Sequence, residues 1–582
     1  MNFKNNFIQK HQEIIFLIGL LLIASFLRFY QIERADMIND ASTYAFRSIG
    51  YTDILMSDIQ TTPLKWFGYM PSWSKFSFHD APPLVFLIQH LFFKVLGVNL
   101  LVARLPFAIF GILTVLVFYF FVKELYPVRP SVSYGVYGRK PAFLASLFLA
   151  VDAYHTLSSQ SGLLEPILLF FVILSLWFLK KGLADSKYLI LAALFLGLSL
   201  LCKYLALFLL LAFFLIFIFD KNFKKFLSDW KFYTAVLVFL VVISPLVIYN
   251  VEMYQARGHL DMQLALLFGQ KQQDWTSISS RQVGVNISQN FFTFFAAVKN
   301  SSIAVYWLFL ISLFYLLVKI IFYRQKRHFF IGLVLSSLFI FFSLVGAGAR
   351  YLAILSPFVF LVIAIFLIDL TAEFKKLKYY VFGLIGILII YLAVFNLNSN
   401  QFMPFGKADL TYSSYREDNW GYNQLEKYWT AKYTGIYQLK PAKIKKIDDT
   451  ELGKNMEQIT ELVRDNLLVY DSRMNWFAKE WYIYRWIVYW RVPFVSTDEF
   501  TDLASQEGGI EFLNSLGSKN LIFIKATEKS FLDPAESNVS QSAEFMEHRL
   551  LEQKFKPLDI IYNPKGEEAF RVYKIQQLIK KQ

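Results

Sequence analysis

The sequence predicts a polytopic α-helical membrane protein of about eleven transmembrane helices, with an extracytoplasmic α/β domain at its C-terminal end. Three observations predict this. Of 582 residues, 56% are apolar and only 18% charged, against about 25% charged in an ordinary soluble domain, and the mean hydropathy is +0.42. Apolar stretches approaching the ~20 residues that span a bilayer recur through the first two thirds of the chain. Beyond residue 398, strand-like and helix-like segments alternate instead.

The 58 Lys and Arg against 44 Asp and Glu give a formal charge of +14. In a chain this apolar, the excess fits positive loops on the cytoplasmic side and argues against a nucleic-acid partner. The single cysteine, Cys202, excludes a disulfide scaffold and any Cys-rich metal site. It reads as a small buried apolar residue.

The predicted spans are 13–30, 100–122, 141–155, 166–179, 188–202, 204–219, 232–250, 303–318, 328–346, 351–370 and 379–396. A cleaved signal peptide would end in a small-x-small site, but Arg28, Phe29 and Tyr30 close the first stretch, so it reads as a retained helix. Segment 82–98 is apolar but carries His90 and Lys94, and is predicted to lie at the membrane interface. With the N-terminus inside, alternate short loops hold Lys123, Arg129, Arg139 and Lys140; Lys180, Lys181 and Lys187; Lys221, Lys224, Lys225 and Lys231; Lys319, Arg324, Lys326 and Arg327; and Lys375, Lys376 and Lys378, 18 cations in all. The short loops between them are almost free of cations. Residues 1–397 therefore form a transmembrane domain with outer loops 31–99 and 251–302, and 398–582 forms the outer domain. In that domain 467–470, 493–495, 520–525, 558–562 and 570–575 read as strands, and 475–490, 498–516 and 542–555 as helices.

Four groups of residues could carry chemistry. Asp40 and Tyr44 lie just past the first span, four apart and so on one helix face. Asp40 is either a general base toward a hydroxyl or the cap of a surface helix. His79 and Asp80 precede Pro82 and Pro83, which start a helix. They could contact a donor phosphate, a metal or an acceptor, or simply be polar residues at a helix entry. Glu165 is the one charge in its outer turn. It is either functional, since a lone carboxylate against lipid is costly, or placed for the N-terminal dipole of the next helix. Arg28, Arg104, Lys203 and Arg350 each stand at the outer end of a span, against the prevailing bias. They suit a lipid-linked phosphate, or else snorkel to head groups. The aromatic run from Trp481 to Trp490 could stack a sugar, or pack the outer domain onto the membrane. No internal repeat, Gly-rich phosphate loop or metal-type His pair is present.

Together these residues resemble the GT-C fold membrane glycosyltransferases, specifically the dolichyl-phosphate-mannose protein mannosyltransferase and aminoarabinose transferase group. The resemblance covers roughly 13–370 and the layout of an outer C-terminal domain. The group's first-loop Asp-Glu with a following Tyr is matched by Asp40 and Tyr44, with Ala41 at the Glu position. Its His-x-Lys-Pro-Pro-Leu motif reads His79-Asp80-Ala81-Pro82-Pro83-Leu84, with Ala81 for Lys. Arg104-Leu105-Pro106, Glu165-Pro166 and Arg350-Tyr351-Leu352 match further motifs in order.

The resemblance implies an inverting, polyprenyl-phosphate-sugar-dependent glycosyltransferase in the plasma (inner) membrane of a cell envelope. It would act on the outer face, on a lipid, glycan or protein acceptor. Asp40 and Glu165 are then the catalytic acids, Lys203, Arg350 and Arg104 bind the donor phosphate, and Tyr44, His79, Asp80 and Tyr351 contact substrate. No cofactor is expected; a divalent metal is possible in principle but nothing indicates one. The rival classes are a transporter or flippase of a lipid-linked substrate, and a non-catalytic membrane scaffold. Two similar halves with broken helices would mark a transporter, and no such halves are seen.

The charge pattern makes a topological prediction. A reporter fused to the C-terminus should be active only outside the cytoplasm; cytoplasmic activity would invert every outer segment.

Overall fold

The computed structural model describes residues 2–56, 62–127, 140–221, 223–270, 287–346, 351–401, 419–437, 466–490, 492, 494–506 and 520–576. The chain divides into two compact units. One comprises Met1–Ile32, Ser72–Ile88 and Leu101–Arg416, the other Glu33–Pro71, Gln89–Leu100 and Glu417–Gln582.

The first unit is a helix bundle. Among the described residues, seven helices are long and apolar enough to cross a membrane: His11–Phe29, Leu100–Leu125, Trp230–Arg257, Ile303–Ile321, Lys326–Val345, Leu352–Glu373 and Lys378–Asn400. An eighth span is counted if Ala153–Ser161 and Glu165–Gly182, which meet at a bend of 119°, are taken as one. The remaining predicted spans are helices in the expected places but shorter, Lys140–Ala150, Lys187–Cys202 and Leu207–Phe219. The expected segment 141–155 is broken, because Asp152 caps a new helix by accepting the His155 N–H at 2.9 Å. The apolar helix Leu84–Leu96 has 13 residues. At 1.5 Å per residue it is about 20 Å long, too short for a hydrocarbon core of about 30 Å.

Leu352–Glu373 is apolar all round and buried almost throughout, so it is the central helix. Close approaches need small residues. A Cβ on Gly197 would fall 2.7 Å from Val242, and one on Gly111 would fall 2.3 Å from the Ser159 hydroxyl. Polar residues join the helices at both ends of the bundle. At one end Lys319 pairs with Glu373 at 2.6 Å and Arg327 with Asp369 at 3.2 Å, while Tyr315 donates to both carboxylates. At the other, buried Arg28 donates to the Ala150 carbonyl at 3.1 Å and lies 2.6 Å from His155 Nδ1. Asn396 donates there to the Val151 and Asp152 carbonyls.

The second unit is built on a five-stranded sheet: β1 (Asn466–Tyr470), β2 (Phe494–Ser496), β3 (Asn520–Ala526), β4 (Asp559–Tyr562) and β5 (Glu568–Gln576). The order is β2-β1-β3-β5-β4. β1 runs parallel to β2 and β3, and β5 is antiparallel to β3 and β4. Each strand lies within two residues of its predicted bounds. Leu467, Val469, Leu521, Phe523 and Tyr573 alternate onto one face and bury it against Phe500, Ala543 and Leu550 of the helices Thr497–Ser505 and Ser542–Glu552. The predicted helix 498–516 is corrected: it ends at Ser505, where Gln506 is extended with φ −79° and ψ 148°, and 507–516 lie outside the described residues.

This unit also holds part of the first predicted outer loop. Buried Asp36 accepts the backbone N–H groups of Trp420, Tyr422 and Asn423 at 2.6, 3.2 and 2.9 Å. Asn423 donates in return to the carbonyls of Glu33, Arg34 and Ala35. One carboxylate thus satisfies the exposed donors at the start of helix Tyr422–Tyr437. Asp36→Ala strands those donors and should lower the stability of this unit by about 2–3 kcal/mol. Asp36→Asn should lie between it and the native protein, as read from thermal unfolding of the purified protein.

Candidate active site

In the helical unit, three of the residues picked out by sequence meet at a break between helices. Helix Lys187–Cys202 stops because Lys203 is extended, with φ −166° and ψ 141°. Glu165 opens helix Glu165–Gly182, with Pro166 in its first turn. The Lys203 ammonium meets the Glu165 carboxylate at 2.5 Å, and both side chains are buried. The same ammonium lies 5.4 Å from the centre of the Tyr351 ring, within cation–π range. Three predicted site residues therefore form one cluster, and Glu165 serves as partner of Lys203 as well as lying at a helix start.

Beside it, the Tyr204 hydroxyl donates to Asp261. Asp261 also accepts from Asn250 Nδ2 at 2.8 Å and caps helix Met262–Leu267 through the N–H groups of Gln263 and Leu264 at 3.1 and 3.0 Å. Burial pushes the Asp261 carboxyl up to about 6, against the pull of these hydrogen bonds. The helix it caps reaches the His79 motif. The Met262 N–H donates to the His79 carbonyl at 2.8 Å, and Gln263 donates to the Asp80 carbonyl at 2.6 Å. His79 itself is buried, its Nδ1 3.9 Å from the Asp80 carboxylate. Alongside runs an open groove of about 370 Å³ lined by Leu246, Val247, Asn250, Val251, Leu260 and Leu264. Its walls are almost wholly apolar.

Arg104 is buried at the start of its helix and donates to the Ile32 carbonyl at 2.7 Å. That hydrogen bond goes to the backbone just past the first helix, which ends at Phe29. Arg350 lies outside the described residues.

Asp40 and Tyr44 belong to the other unit, on helix Asp40–Gly50. The cap of that helix is Asn39, whose side chain accepts the Ala41 N–H at 2.9 Å. The capping alternative for Asp40 is therefore corrected: Asp40 is the first helical residue, half-buried, and the cap is already filled. Tyr44 donates toward Asp40 Oδ2 at 3.4 Å. The helix is fixed from below. The Tyr489 hydroxyl donates to the Phe46 carbonyl at 2.8 Å. Arg47, two turns on from Asp40, pairs with Asp53 at 2.5 Å. The buried Glu480 accepts the Met56 N–H at 3.3 Å. Trp481 and Tyr482 are buried within this unit. Those two residues therefore serve neither as a sugar platform nor as membrane-facing aromatics.

Sequence reasoning missed Tyr204, Asn250, Asp261 and Glu480. Asp261 had a visible signal, an Asp directly before the apolar run Met262–Leu267. The others had none, because their importance lies in partners distant in sequence.

Comparison with known proteins agrees with this architecture. Residues 80–249 match the family model of the dolichyl-phosphate-mannose-protein mannosyltransferases. ArnT from Cupriavidus metallidurans, solved in the apo state and bound to undecaprenyl phosphate, superposes with a TM-score of 0.51 at 13% identity. The apo superposition covers 97% of this chain and 98% of that one. The fold is that of the GT-C membrane glycosyltransferases. The Archaeoglobus fulgidus oligosaccharyltransferase in its apo form also shares the GT-C fold, with a TM-score of 0.50 at 13% identity, over 97% of this chain and 74% of that one. The Bacillus subtilis protein YkcB, named as a candidate mannosyltransferase, is 25% identical over 270 residues, 45% of this chain. The match spans 35% of the length of that relative.

Glu480 generates a pH prediction for this GT-C chain. Burial raises its carboxyl from 4.5 to about 8, with the Met56 N–H and Arg47 opposing. The folded state thus favours the protonated form. Its contribution is complete below pH 4.5 and is lost as pH rises through about 8. Glu480→Gln keeps a neutral side chain. It should flatten that decline, so that the variant outlasts the native protein above pH 8 by a few kcal/mol in thermal unfolding.

Proposed function

We propose that the protein transfers a sugar from a polyprenyl-phosphate-linked donor to an acceptor hydroxyl, on the outer face of the plasma membrane. The N-terminus would be cytoplasmic and the α/β domain outside. The observation that carries this is the buried Lys203, paired with Glu165 and facing the Tyr351 ring, while its neighbour Tyr204 accepts from Asn250, which lines the apolar groove. A fixed cation in a unit that also carries an apolar groove suits a phosphate with a long hydrocarbon tail. That the similar ArnT chain was solved with undecaprenyl phosphate supports the same ligand class here.

In this mechanism the acceptor oxygen attacks the anomeric carbon, the bond to the phosphate breaks, and polyprenyl phosphate leaves with inversion. Negative charge grows on the leaving phosphate. An ammonium carries three donors, so Lys203 can hold Glu165 and still donate to a phosphate oxygen. Being already positioned, it stabilises the developing charge without reorganising. Arg350 and Arg104 are proposed to reinforce it. Asp40 takes the acceptor proton as the new bond forms. Tyr44 orients Asp40, while Tyr351, His79 and Asp80 shape the substrate space. The chemistry is assigned to these side chains without a metal or cofactor. A lipid flippase is the second reading, favoured by the 119° break before Glu165. Transfer in detergent, where there is no bilayer to cross, separates the two.

The test uses purified protein with a radiolabelled polyprenyl-phosphate sugar, read as release of polyprenyl phosphate. Asp40→Asn should fold and bind donor, yet lose transfer by a factor of about 10²–10⁴. Lys203→Ala alone would strand a buried carboxylate. The paired variant Glu165→Gln with Lys203→Met therefore isolates the phosphate contact, and should weaken polyprenyl-phosphate binding by roughly ten- to hundredfold. Unchanged affinity there, or near-normal transfer in Asp40→Asn, would overturn the corresponding role.

A further inference from the structure

The α/β domain carries a second charged cluster, unrelated to Asp40, at the carboxyl ends of its parallel strands. The chain leaves β1 toward β2 on one flank and leaves β3 toward β5 and β4 on the other. Between β1 and β3 the sheet thus has a topological switch point, the place where open α/β sheets form ligand crevices.

Two cations lie there. Arg473 follows β1 and Lys525 is next to the end of β3, with side chains only 6% and 5% exposed. One buried anion, Asp471, faces them and is fully engaged. It accepts Arg473 Nε and a second guanidinium N–H at 3.1 and 2.9 Å, and the backbone N–H groups of Arg473 and Ala526 at 3.0 and 3.1 Å. The second buried positive charge is answered by Glu544, which is 55% exposed. One Glu544 oxygen receives both Arg473, at 2.7 Å, and Lys525, at 2.9 Å. Glu544 lies in the first turn of helix Ser542–Glu552, so the backbone dipole there also favours an anion.

We propose that Arg473 and Lys525 form an oxyanion-binding site of the α/β domain, and that the Glu544 carboxylate occupies it when no ligand is bound. The buried cations are fixed by Asp471 and by the Ala526 carbonyl, which Lys525 also contacts at 2.9 Å. Glu544, by contrast, can turn into water without opening the core, because more than half of its side chain is already there. A phosphate or carboxylate group entering from solvent would take over its two charge-assisted hydrogen bonds. Under the transferase reading, on which this role rests, such a group would belong to the acceptor. The site therefore selects an acceptor bearing a negative charge, either as a phosphodiester or as an acidic sugar.

The internal carboxylate acts as a tethered competitor, which gives the test its sign. The full-length protein in detergent is titrated calorimetrically with inorganic phosphate and, separately, with glucuronate, at constant ionic strength. Glu544→Gln removes the competitor and should bind one of the two at least about fivefold more tightly than the native protein. Adding Lys525→Met to Glu544→Gln should abolish that gain. Tighter binding of phosphate assigns a phosphodiester ligand, and tighter binding of glucuronate an acidic sugar. No gain for either anion in folded Glu544→Gln overturns the proposal and leaves Glu544 a structural clasp. Sugar transfer plays no part in this measurement, so its outcome is separate from that of Asp40→Asn.

Discussion

A charge removed from water inside an apolar helix bundle must have a partner, and the pair of Glu165 and Lys203 is where this constraint shapes the GT-C unit most. Meeting at 2.5 Å, the two residues hold helices Glu165–Gly182 and Lys187–Cys202 together at the ends where each is interrupted. Extra packing alone would not select such a pair. Replacing a buried ion pair with apolar groups of similar volume is often neutral or stabilising. What an apolar substitute cannot supply is a fixed ammonium facing the Tyr351 ring. Keeping the pair despite its desolvation cost is consistent with a site that needs that cation in place before its ligand arrives.

The same logic explains why the bundle departs from uniform spans. The helix from Lys140 stops at Ala150 because Asp152 starts a new one, and the helix from Lys187 stops because Lys203 leaves helical geometry. Each break frees backbone groups, and side chains from elsewhere meet them: Asn396 and Arg28 reach the carbonyls at 149–152. Irregular backbone at membrane depth is tolerated only where protein or a polar cavity satisfies it. Polar residues gathered for that purpose also furnish the groups a charged substrate could use.

Much of this was legible in the sequence, and the limits are physical. Long apolar runs announce helices and short β-rich runs announce strands, so helices and strands fall close to where periodicity places them. Among the described residues, however, only seven helices, or eight with the bent pair, are long and apolar enough to span, against the eleven expected. The partnership of Glu165 with Lys203 was hidden, because 38 residues separate them and each by itself reads as a lone charge. Asp36 gave no sign of its role, since the donors it satisfies lie nearly four hundred residues away, at 420–423. Helix Tyr422–Tyr437 was missed because its apolar face is narrow. Its hydrophobic side is defined by Trp429 and Tyr422 packing on Trp486, Phe494 and Phe570. The run 475–490 was correctly read as helical, but its π-helical turn Glu480–Tyr484 was not foreseen. Glu480 opens that turn, and π-turns concentrate at functional positions.

The two candidate acids sit in environments that separate their roles. Glu165 is buried and its charge is committed to Lys203; to accept a proton it would have to release the cation just as negative charge builds on the leaving phosphate. It is therefore better suited to orienting Lys203 than to serving as base. Asp40 is the first residue of a helix whose cap is Asn39, and the Tyr44 hydroxyl donates toward it at 3.4 Å. Its position is rigid. An isolated helix of 11 residues would be marginal in water, but Asp40–Gly50 is pinned by Arg47 to Asp53, by the Tyr489 hydroxyl at Phe46, and by the Tyr482 hydroxyl, which receives the Met37 N–H at 3.0 Å. Every one of those anchors except Asp53 comes from the C-terminal domain or from the helix itself. Residues of the C-terminal domain thus supply contacts that hold the helix carrying the first-loop carboxylate in place.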